Sequence, residues 1–256
     1  MARNFGNTLY AFFIKKKAEY RRYWLDFAVG LAIKFIFFLG TLYASPIHTG
    51  SEAVIRLFGF SIWYLCAHVV SKLGNTVIEE AYLGTLEQVL STRARPWQLV
   101  FGLIVAEILF SFLWIAIFFV MAVLIVGVHH FWSGLVTHSS SLLIFGIISL
   151  IGMIGVGLTI LGLSLRFKHV GSITEVLLYY LLVFSGFFLP PQFLPDFLHA
   201  LNALSPLAWA VKGMNEGWSA LPPAIMSSTA WILLGMLILI TQWNWARQSG
   251  RLGTYV

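Results

Sequence analysis

Charge is scarce in this sequence. Asp, Glu, Lys and Arg make up 10% of its 256 residues, against 59% hydrophobic ones. An ordinary soluble domain carries about 25% charged residues. A water-soluble fold cannot hide that much apolar surface, so the composition points to the bilayer as solvent. Cysteine is almost missing: Cys66 stands alone in an apolar run, which excludes an intrachain disulfide. Motifs for phosphate and metal chemistry are missing too. The dipeptide Gly-Lys never occurs, so there is no G-x-x-x-x-G-K-[ST] loop to cradle a nucleotide and no ATP hydrolysis by that route. H-E-x-x-H, C-x-x-C and G-x-S-x-G are absent as well. His129, His130 and His138 have no carboxylate or thiol near them in sequence and read as polar interfacial residues, so no metal and no catalytic residue is expected. The net charge of +6 comes from basic residues flanking apolar runs, which suits an anionic membrane surface rather than nucleic acid.

What is present is a series of long apolar runs. They predict an all-α integral membrane protein, a single transmembrane domain over 1–256. Six spans fall at about 25–45, 53–74, 97–127, 139–163, 172–189 and 225–245. The first run follows Lys15, Lys16, Lys17, Arg21 and Arg22 and has no A-x-A site after it, so it reads as a retained span. The second is uncharged only between Arg56 and Lys72, which must snorkel. With both termini in the cytoplasm, thirteen of the sixteen Lys and Arg residues fall inside, as the positive-inside rule asks of an even number of spans.

Three connecting segments carry more information. In 7–23, Leu9, Phe12, Phe13, Tyr20 and Tyr23 share one side of a helix and Lys15, Lys17, Arg21 and Arg22 lie mostly on the other, which predicts an interfacial helix with its apolar side in the acyl boundary. In 77–91, Thr76 and Glu79 have capping-box spacing for a new helix, Pro96 suits the first turn of the next, and Glu80, Gly84, Glu87 and Ser91 form a polar, acidic stripe. Such a stripe fits a partner protein better than anionic lipid. The connection at 190–217 is too apolar for an exposed loop. Phe193, Leu194, Phe197, Leu198, Leu201 and Leu204 mark one side of a short helix, and Ser205, Pro206 and Gly217 bound a second, predicting a re-entrant hairpin in the outer leaflet.

Lys34, Glu107 and Glu175 are ionisable residues inside spans. Each costs about 2.5–3.5 kcal/mol at mid-membrane unless it meets protein, water or an interface, and Lys34 with Glu107 is a candidate pair. Aromatics at Trp63, Tyr64, Tyr179, Tyr180, Phe184, Phe187 and Phe188 on the second and fifth spans are candidates for an amphipathic substrate path. Gly146, Ser149, Gly152 and Gly155 recur every three residues, a face for close helix packing.

Two segments resemble those of type-2 ABC exporter permeases: EEAYLGTLEQVLSTRARPWQLVFG at 79–102 and FSGFFLPPQFLPDFLHALNALSPLAWAVKGMNEG at 184–217. The order of parts agrees along the whole chain. The resemblance implies a permease that pairs with a second copy or a homologous permease and binds two ABC ATPase subunits, which hold the ATP and Mg. It implies that 77–91 is the cytoplasmic coupling helix, with Glu79, Glu80, Gly84, Thr85, Leu86 and Glu87 at the ATPase. It further implies that the outer hairpin, with Pro190, Pro191, Pro195 and Pro206, gates the outer end of the route. The setting implied is a bacterial plasma (inner) membrane, and the cargo classes are drugs, antibiotics, lipids and lipid-linked glycans. A secondary transporter or channel not coupled to ATP is the competing reading; inverted repeats and broken mid-membrane helices would favour it, and neither is seen in the sequence.

Overall fold

Apolar runs in lipid must satisfy every backbone N–H and C=O internally, which leaves helices as the form available to them. The computed structural model describes residues 2–43, 50–82, 96–167, 170–186, 195, 197 and 199–249, and every regular element among these is helical. In chain order they are α1 (Ala2–Arg22), α2 (Trp24–Tyr43), α3 (Gly50–Tyr82), α4 (Pro96–Val126), α5 (Val128–Phe167), α6 (Gly171–Val183), α7 (His199–Leu204), α8 (Pro206–Glu216) and, after a 3-10 turn at Trp218–Ala220, α9 (Leu221–Ser249).

Among the described residues, four stretches are long and apolar enough to cross a membrane: Val54–Thr76, Trp97–Ile125, Phe131–Phe167 and Trp218–Ala246. Gly6–Arg22 with Trp24–Gly40 makes a fifth only if that pair, bent by 84°, counts as one span. Four or five of the six expected spans are thus met among the described residues. The shortfall has a physical basis at α6, whose 13 residues reach only about 20 Å against a hydrocarbon core of about 30 Å. The predicted connection between the third and fourth spans is also different. Gly127 alone, at φ +91°, separates α4 from α5, and α5 then runs 40 residues, about 60 Å, well beyond one bilayer core.

α5 is the central element, packed against α3 on one side, α9 on the other and α8 around Phe145 and Gly152. Its small residues explain why. A Cβ at Gly155 would stand well under 3.0 Å from the backbone of Trp231 and Ile232, and one at Gly235 would meet the carbonyl of Gly155. The α5 and α9 backbones thus touch, the close approach that drives helix association in lipid. Gly152 faces Pro206 and Ser228 in the same way. A second contact zone is aromatic: Phe38, Phe60 and Phe118 are fully buried, with Phe60 edge-on to Phe118 at 5.3 Å.

Within the segment expected to form the hairpin, α7 and α8 are two short helices. Ser205 caps α8 by accepting from the Ala208 N–H at 3.4 Å, Pro206 is the first residue, and Gly217 ends the helix at φ +85°. The last four carbonyls of any helix lack intrahelical donors. In α7 all four are met: Leu201 by the Tyr180 hydroxyl, Asn202 by the Ser205 N–H, Ala203 by Trp209 Nε1 and Leu204 by Trp231 Nε1 and Ser227 Oγ. The apolar side expected of the first short helix is not covered by this chain. Phe197, Leu201 and Leu204 are exposed, while Phe193, Leu194 and Leu198 lie outside the described residues.

One further expectation is corrected. Thr76 does not start a new helix. It lies inside α3, where its hydroxyl donates to the Lys72 carbonyl at 2.6 Å, a back-bond that mid-helix threonines make readily. In α1 part of the expected apolar side, Phe12 and Tyr20, lies along α4, while Phe13 and Tyr23 are exposed.

Candidate functional site: a buried ion network beside a polar cavity

Phe12, Lys16 and Tyr20 recur every four residues on α1 and so share one face. That face runs parallel to α4. Phe12 occupies the space that a Cβ at Gly102 would enter, Phe13 meets Phe110 at 5.3 Å, and Tyr20 stacks on Phe110 at 5.0 Å. Further along, Trp114 Nε1 donates to the Tyr20 hydroxyl at 2.8 Å. The register advances from Gly102 to Trp114, about 18 Å along α4.

In the middle of this seam Lys16 Nζ lies 2.7 Å from Glu107 Oε1, and both side chains are buried, at 7% and 1% exposure. The other carboxylate oxygen, Oε2, is 3.0 Å from His68 Nε2 on α3. Lys16 also reaches Glu19 at 3.1 Å. One carboxylate therefore ties α1, α3 and α4 together, with each oxygen engaged. An ion pair buried this deeply is weak evidence for net stability, but removing one partner leaves an uncompensated charge.

Beside the network lies a cavity of about 250 Å³ between α1, α2, α3 and α4, with Tyr20, Lys34, Tyr64, His68, Lys72 and Trp114 on its wall. The Lys34 ammonium sits 5.1 Å from the centroid of the Tyr64 ring, within cation–π range. Lys34 and Glu107, the candidate pair, are not partners: Glu107 is taken by Lys16 and His68. Lys16 was grouped with the cytoplasmic basic residues and His68 was not singled out by sequence. Two signals mark them: the four-residue spacing that sets Lys16 on the aromatic face of its helix, and a lone imidazole inside the otherwise uncharged run of the second span.

The remaining candidates scatter. Tyr64 is buried and Trp63 half-buried against the aromatic core, not turned outward. Tyr179 is exposed, and Tyr180 and Phe184 are half-buried with rings 5.2 Å apart. Glu175 is exposed on α6. Glu79 is half-exposed, 3.8 Å from Lys72. Glu80 belongs to α3, with its side chain outside the described set, and Gly84, Thr85, Leu86 and Glu87 lie outside the described residues, as do Phe187, Phe188, Pro190 and Pro191. Pro195 is exposed, and Pro206 is buried against α5. Among the described residues no group of three or more His, Cys, Asp or Glu is placed to hold a metal.

A bundle of apolar helices long enough to span a bilayer, held by small-residue contacts and enclosing a cavity, defines a multi-pass membrane protein. The ABC-2 type transporter family matches residues 10–217, most of the chain. The chain belongs to that family, whose role is that of a membrane permease component. No curated protein matches it.

Proposed function

We propose that this chain is the membrane half of an ATP-driven exporter, with six spans, both termini in the cytoplasm of a bacterial cell and its place in the plasma membrane. The observation that carries the reading is the family match, which takes in both the 79–102 and the 184–217 segments. Two ATPase subunits bind from the cytoplasm, and a second copy or a homologous permease completes the pathway. Closure of the ATPases on ATP pushes the 77–91 segment and is passed to the spans as a rigid-body movement, an inward-facing cavity giving way to an outward-facing one. Because ATP binds the two states with different affinity, it drives the change. The continuity of α3 from Gly50 to Tyr82 supports this route, since a displacement at its cytoplasmic end travels along a single helix to Tyr64 and His68. The cargo is apolar or amphipathic, in keeping with Tyr179 on the exposed side of α6.

The test is reconstitution with the ATPase that co-purifies with the chain. Glu87→Lys and Gly84→Trp abolish ATPase association or cargo-stimulated hydrolysis while expression is unchanged. Normal coupling in both variants, or cargo movement without any ATPase, sinks the proposal.

A further inference from the structure

The wall of the cavity beside the ion network is built unevenly. Lys34 has no carboxylate within ion-pair distance among the described residues, although Lys16, His68, Lys72 and Lys212 each have one. Its ammonium folds back along α2 over Gly30, where a Cβ would be 3.8 Å away, so the helix itself leaves the space above that residue clear. Tyr64, across from it, makes no hydrogen bond through its hydroxyl among the described residues. Lys72 lies on the same wall and is held only loosely by the half-exposed Glu79 at 3.8 Å. Asp26 is the one carboxylate on the wall. His68 faces the same space but is engaged by Glu107, whose charge Lys16 offsets. With Glu79 set against Lys72, Lys34 is the lysine of this wall that no carboxylate engages at ion-pair distance, inside a low-dielectric surround where an unmatched charge is costly. The volume of about 250 Å³ exceeds by far the roughly 30 Å³ share of a single water.

We propose that this cavity binds a singly charged phosphate group, as a membrane phosphodiester headgroup carries, with Lys34 as its principal cation, Lys72 as the second and the Tyr64 hydroxyl as a hydrogen-bond donor. The site is built from one chain, so it stands whether or not the export reading does. One lysine without a carboxylate partner suits a singly charged phosphodiester better than a doubly charged phosphate. Aliphatic lining such as Leu31, beside Phe27, accepts the start of an acyl chain.

The experiment is native mass spectrometry of the full chain in neutral detergent, titrated with phosphatidylglycerol, phosphatidylcholine or inorganic phosphate. Phosphatidylglycerol binds more tightly than phosphatidylcholine. Lys34→Gln weakens it about tenfold, as expected for loss of a charge-assisted contact, while Lys34→Arg retains it. Tyr64→Phe gives a smaller loss. Displacement by millimolar inorganic phosphate identifies a free anion as the natural source; retention of the lipid under the same conditions identifies the headgroup. Equal binding of the two lipids, or equal phosphatidylglycerol affinity in wild type, Lys34→Gln and Lys72→Gln at matched unfolding temperature, overturns the assignment.

Discussion

Replacing Lys16 by Met strands Glu107, which is 1% exposed, with a single remaining partner in His68. Loss of one member of a buried ion pair costs about 3–5 kcal/mol. At the 2–4 °C per kcal/mol typical of a chain of this size, that is a fall in unfolding temperature on the order of 10 °C. Glu107→Gln is milder, because Lys16 keeps Glu19 at 3.1 Å. The double variant Lys16→Met with Glu107→Leu removes both charges and regains most of the loss, since two desolvated ions cost about what their attraction returns. Lys212→Met is the control. Its pair with Glu216, 3.6 Å apart and 45% and 59% exposed, is worth at most about 1 kcal/mol. The assay is thermal unfolding of the purified chain in detergent, followed by tryptophan emission. Single variants that melt with the control, or a double variant no better than Lys16→Met alone, would refute the claim that this carboxylate holds three helices together.

Two other outcomes follow from packing. Gly155→Ala puts a methyl group into the backbone of α9 and lowers the unfolding temperature or abolishes monodisperse expression, whereas Gly6→Ala, with nothing within 4 Å, has no effect; size-exclusion profiles compare them. Cys66 is fully buried, so a maleimide leaves the folded chain unlabelled and modifies it once after denaturation, which makes this residue a reporter of unfolding; rapid labelling of the native protein would contradict its placement in the core.

Composition and pattern alone dictated a helical membrane protein, because apolar runs of this length have no other way to satisfy their backbone in lipid. The local chemistry of the outer hairpin was legible too: Ser205, Pro206 and Gly217 act through their own backbone geometry, and the structure has the cap, the first turn and the stop where those residues predict them. The glycines of the fourth span were readable as a packing face for a similar reason, since a missing side chain matters wherever a neighbour comes close. Partners were another matter. Thr76 and Glu79 have the spacing of a capping box, yet α3 continues through them, because a threonine hydroxyl bonds a carbonyl one turn back as readily as it caps. Lys34 and Glu107 are both lone charges in apolar runs, and nothing in their order says that Glu107 belongs to a lysine of the first helix and a histidine of the third. That choice depends on α1 lying along α4, a contact between residues about ninety positions apart that no local period encodes. Helicity is a property of the chain and its solvent; which charge meets which is fixed only when the helices are side by side.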